Sequence, residues 1–155
     1  SMSDAMPPIS SSSTEKMLFL QENMVHFVNQ MSMPVIEVSL VISKYLKKLV
    51  DVLEERAQIE GEDLSREVVS PWSVDVETSD TDRPGMPLER ILEIVDIDRM
   101  DILDTMIRTI INGTELPFVD AVLALRRWEH LARSQLSKAS GTGQLFSPMI
   151  LPTDF

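Results

Sequence analysis

Apolar side chains return every three to four positions along most of this chain, the repeat of one face of an α-helix. Met17, Leu20, Met24, Phe27, Val28 and Met31 form the first such stripe, widened by Leu18 and Val25. Ser12, three residues ahead of Glu15, has capping-box spacing and predicts a helix from about Ser13 to Met31. Apolar on most sides, this helix is expected at the centre of the fold. The next stretch carries Val35, Val38, Ile42, Tyr45, Leu46, Leu49, Val52 and Leu53 on one face, with Glu37, Lys44, Lys48, Asp51 and Glu55 opposite. Pro34 suits its first turn and Gly61 its end. The β-branched density of "VIEVSLVIS" also suits a strand, but the unbroken helical repeat through Leu53 favours helix.

Between Gly61 and Pro87 the repeat dissolves into an acidic stretch with three prolines, where Val68, Val69 and Trp72 are the only anchors. A loop this long inside one domain points to function or disorder. "VVSPWSVDV" reads as a segment able to dock in extended form with Trp72 in a pocket. Ser79, within "TSDTD", sits among acids as the targets of acid-directed kinases do. Three further helices follow: about Pro87–Asp96 with Leu88, Ile91, Leu92 and Val95 inward; Arg99–Asn112 with Ile102, Leu103, Met106, Ile107 and Ile110 inward; and Pro117–Lys138 burying Phe118, Ala121, Val122, Leu125, Trp128, Ala132 and Leu136. Asn112–Gly113 is expected to stop the second of these. Residues 1–12, rich in Ser and Pro, read as disordered. Residues 139–155 read as an irregular tail, apolar enough through Leu145, Phe146, Met149, Ile150 and Leu151 to lie back over the bundle or a partner.

Composition narrows the chemistry. A chain of 155 residues, 43 % hydrophobic and 25 % charged, suits one compact domain. A net charge of −11 repels phosphate backbones, so no nucleic-acid partner is expected; it fits a basic protein partner instead. The absence of cysteine removes disulfides, thiolate catalysis and thiolate zinc sites, and two histidines cannot build a His-rich metal centre. No cofactor or metal is expected. No apolar run reaches the ~20 residues of a membrane span, and "SMSDAMPPISSSS" lacks the regions of a secretory signal. The sequence therefore predicts no membrane partner and an intracellular, cytoplasmic location, with Ser1 ahead of Met2 read as a residue left by tag removal.

"ILEIVDIDRMDILDTM", Ile91 to Met106, places Asp96, Asp98, Asp101 and Asp104 close together. A calcium loop counted from Asp96 fails at its fifth, sixth and twelfth positions, Met100, Asp101 and Ile107. "ILEIVDIDRM" resembles the apolar strand ending in DxD of haloacid-dehalogenase-type phosphatases, which implies phosphotransfer through Asp96 and Asp98. That family's pattern wants Thr or Val where Met100 stands, and a parallel sheet that this chain does not supply. A structural reading accounts for every carboxylate. Asp98 on one continuous helix would fall on the buried stripe between Val95 and Ile102. Breaking the helix there makes Asp98 an N-cap, with Asp101 in the first turn and Asp104 paired with Arg108.

Smaller signals add little. "NGT" at Asn112–Thr114 reads as a turn rather than a glycosylation site, "GTGQ" is too short for phosphate, and His26 and His130 lack catalytic neighbours. One surface feature remains. Val119 and Leu123 lie on the side of the last helix away from its main stripe, near His130 and among Arg126, Arg127 and Arg133. Apolar surface rimmed by arginines suits a protein contact, unless the tail covers it or the acidic Asp75–Asp82 segment neutralises it.

The sequence thus predicts an all-α domain over residues 13–138. About five helices form an N-terminal helical hairpin and a C-terminal three-helix unit joined by the acidic loop 61–87. The expected function is a non-enzymatic interaction module, an adaptor, regulatory subunit or assembly component, that binds a protein segment through Trp72, Val119, Leu123, Arg126, Arg127, His130 and Phe146. A homodimer through the first two helices is a further expectation. An acidic dedicated chaperone holding a client protein is the alternative, and a DxD phosphotransfer enzyme the remote one.

Overall fold

The computed structural model describes residues 5–74 and 86–155. Ser79 and the Asp75–Asp82 segment lie outside the described residues. The fold is all-α: among the described residues the sole β feature is one isolated bridge, Pro34 to Pro148. Six α-helical elements follow one another among the described residues: α1 (Ser13–Gln30), α2 (Val35–Glu60), α3 (Arg66–Val69), α4 (Leu88–Ile94), α5 (Ile97–Thr114) and α6 (Phe118–Ser137). A 3-10 turn, Thr142–Phe146, precedes the tail.

Local chemistry explains most boundaries. Ser12 Oγ accepts the Glu15 amide at 3.2 Å and caps α1. Gly61 ends α2 with φ +69°, a left-handed conformation that glycine adopts at little cost. The end of α5 departs from expectation. Its helix runs through Asn112 and Gly113 to Thr114, and Glu115 takes the left-handed cap conformation at φ 54°. Gly113 stays helical where Met6 crosses it; a Cβ there would stand 2.5 Å from the Met6 sulfur. Residues 5–12 are accordingly placed against the bundle, with Lys16 Nζ donating to the Ile9 carbonyl at 2.7 Å.

The centre of the fold is α2, not α1. It packs against α6, α5, α3 and the 3-10 turn, whereas α1 lies across α5 and α6. The short Met31–Pro34 connection joins α1 to α2, and each then finds its main partners among the C-terminal helices, so the two groups interleave. One core results, built from Leu20, Met24, Ile42, Leu46, Leu103, Ile107, Leu125 and Trp128 among others. Several aliphatics expected inside stay in water: Leu88 and Leu92 on α4, Ile102 on α5, Val52 on α2 and Met31 after α1. Ile91 and Val95 alone anchor α4, in a small second cluster against Ile36 at the start of α2. The tail does lie back over the bundle. Val35 N–H donates to the Ser147 carbonyl and Met149 N–H to the Met33 carbonyl, both at 2.9 Å.

Candidate protein-contact surface

Glu37 ties α2 to the junction between α4 and α5. It was expected on the solvent face of α2, yet it is 1 % exposed. Its carboxylate accepts Arg99 Nε at 2.7 Å, Arg99 Nη2 at 2.8 Å and the Asp96 amide at 3.1 Å. That fork-to-fork pair, reinforced by a backbone donor, fixes the α4–α5 junction against α2. Hydrogen bonding to Glu37 pushes the Arg99 guanidinium still higher than its ordinary range.

The same junction shows how the aspartates are placed. The N-cap is Asp96, not Asp98: Asp96 Oδ1 accepts the Arg99 amide at 3.1 Å, and α5 starts at Ile97. Asp98 sits exposed in the first turn, where its charge favours the helix dipole. Asp104 pairs with Arg108 at 3.2 Å. Asp96 and Asp98 lie at a helix start, not at the end of a strand. Among the described residues no three His, Asp or Glu converge as metal ligands.

The outer stripe of α6 is Val119, Leu123, Arg126, His130 and Arg133, and the structure brings the central segment onto it. Arg126 Nε and Nη2 donate to the Val68 carbonyl at 3.2 and 3.0 Å, while Nη1 pairs with Glu129 at 2.9 Å. Arg133 Nη1 donates to the Trp72 carbonyl at 2.6 Å, and His130 Nε2 lies 3.1 Å from the Ser73 carbonyl. Trp72 leans against the His130 ring, centroids 6.2 Å apart, with its indole N–H bonded to the Glu67 carbonyl. Residues Val68–Ser73 thus form a strap held through main-chain oxygens by side chains one helical turn apart. Arg126 is buried beneath it.

The remaining expected contact residues divide among other places. Arg127 turns to the tail: its guanidinium lies 4.7 Å from the Phe155 ring centre and reaches the Asp154 carbonyl. Phe155 meets the buried Trp128 edge-on at 4.8 Å. Phe146 packs in the second cluster with Ile36, Ile91 and Val95, far along the fold from the strap. Leu123 is half-buried against the main core, and Val119 opens onto a cleft.

That cleft, about 510 Å³, lies between the end of α2 and the α5–α6 connection. Leu53, Ala57, Leu64, Ile111, Leu116 and Phe118 supply its apolar lining. Glu60, Glu62, Glu115 and Arg56 supply the charged lining groups. Sequence reading found Val119 and missed the rest. Set against models of protein families, curated proteins and solved structures, the chain matches none.

Proposed function

We propose that the chain is a non-enzymatic helical interaction module that binds a segment of another protein. The cleft beside Val119 carries this reading. At about 510 Å³ it is within the size range of ligand-binding clefts generally (~300–1,000 Å³), with an apolar lining and a few charged groups. An exposed aliphatic, Val119, stands at its lip. The aspartates with the most enzyme-like pattern are employed in capping and ion pairing, which supports a binding role over catalysis.

The test is a Val119→Asp variant, which changes an exposed position and should leave the fold intact. Affinity capture from the native host, compared between wild type and variant, is expected to lose a discrete partner with the variant. An unchanged set of captured proteins, or hydrolysis of a phosphomonoester that Asp96→Asn abolishes, overturns the reading. A second reading, an acidic chaperone, is favoured by one observation. Leu88, Leu92, Ile94, Ile97 and Ile102 all stay about half exposed along α4 and the start of α5. Suppressed aggregation of reduced insulin B chain, lost on Leu92→Ser/Ile102→Ser, would select it.

A further inference from the structure

The last two turns of α2 stand between two hollows. On one side Leu53, Arg56, Ala57 and Glu60 face the cleft described above. On the other, Asp51, Glu54, Glu55 and Gln58 face a shallower recess closed by Glu62, Asp63, Leu64 and Val69. Ala57, Glu62 and Leu64 border both. Seven carboxylates and one guanidinium line this surface, over an apolar lining whose exposed edge is Val119.

We infer that this cleft docks an amphipathic segment of a partner protein whose apolar anchors are flanked by lysines or arginines. The inference rests on the interaction-module reading and names the partner's chemistry. Apolar anchors match the lining, and a positive flank matches the carboxylates, of which Asp51 has a cation, Lys47 at 3.6 Å, among the described residues. Nucleic acid would meet like charge. A second copy of this chain is less well matched: five of its nine arginines are engaged within the fold, Arg99 with Glu37, Arg108 with Asp104, Arg126 with Glu129 and Val68, Arg127 with Phe155, and Arg133 with Trp72, and a copy of net charge −11 would bring like charge to this face. Glu115 adds a separate indication. It occupies a left-handed backbone conformation, φ 54°, that glycine would hold without strain, and it lines the cleft.

Three synthetic helical peptides of equal length serve as probes: leucine with lysine in an amphipathic pattern, the same pattern with glutamate for lysine, and the same with serine for leucine. The Leu/Lys peptide is expected to bind with amide shifts clustered on residues 53–64 and 111–119, and neither control should bind there. Glu60→Gln/Glu62→Gln should weaken binding by about tenfold, an effect that fades as salt screens it. Glu115→Gly should weaken binding while raising the urea midpoint, a split that a purely structural glutamate would not give. Equal binding of the Glu and Lys peptides overturns the proposal, as does concentration-dependent self-association through this face. Shifts confined to α4 and α5 overturn this site and leave the module reading standing. No binding by any peptide, together with an unchanged capture by Val119→Asp, ends both.

Discussion

Truncating Arg99 to alanine tests the contact on which the α4–α5 junction depends. The substitution leaves Glu37 as a buried carboxylate with only the Asp96 amide as donor. Removing one partner of a buried pair costs about 3–5 kcal/mol. The Arg99 side chain is itself 21 % exposed, so water can follow the truncation and the lower end applies, about 3 kcal/mol. With a urea dependence of about 2 kcal/mol per molar, the midpoint should fall by about 1.5 M, read by circular dichroism at 222 nm. Glu37→Gln keeps an acceptor for the Asp96 amide and loses the charge-assisted pair, for about 1–2 kcal/mol. The double variant Glu37→Met/Arg99→Met should cost much less than the two single losses combined, because no orphaned charge remains. An Arg99→Ala loss below about 0.5 kcal/mol, the usual scale of an exposed substitution, refutes the reasoning, and so does strict additivity in the double variant.

Three further outcomes follow from particular groups. Tyr45 is the only tyrosine, and burial, with Asp104 adding and Arg108 opposing, pushes its phenol above the ordinary value of about 10. The unfolded chain therefore gives up this proton first: Tyr45's contribution to stability is complete below about pH 10 and declines as pH rises toward the folded value. Absorbance titration at 295 nm should show tyrosinate forming later in the folded protein than in urea, and Tyr45→Phe should remove that component of the alkaline decline. Asp96→Ala should cost about 1 kcal/mol in denaturation while Asp96→Asn costs little, since asparagine also caps; a larger asparagine effect would point away from capping. Gly113→Ala should raise stability by up to about 1 kcal/mol, because the atom it meets is the far end of Met6; hydrogen exchange should show residues 5–9 loosened.

What the sequence revealed follows from how local each cause is. The caps at Ser12 and Gly61 and the span of α2 are set within a few residues of themselves, and the apolar repeat exposed them. Glu37 was placed on the wrong face because its partner lies sixty-two residues away: helical spacing gives the direction of a side chain, not whether another element covers it. Arg126 escaped for the same reason, beneath a segment without a repeat of its own. Asp96 and Asp98 each stand three residues ahead of a suitable amide, so spacing alone could not choose between them. The bond from the Asp96 amide to Glu37 supports the earlier start. The cleft was the least legible part, since its walls come from two stretches some fifty residues apart and only Val119 lay on a surface already suspected.

The position of α6 bears on how the chain reaches this state. Residues 118–137 touch α1, α2 and the strap, and their arginines and tryptophan reach the tail. As ribosomes release the polypeptide from its amino end, the two longest early helices emerge before the element that unites them. They must wait, partly wetted, for a surface synthesised some sixty residues later. Contacts so distant along the backbone slow the search for the native arrangement relative to a bundle closed by successive neighbours. The interval before α6 arrives is therefore when this polypeptide is most open to sticking to itself or to other nascent chains.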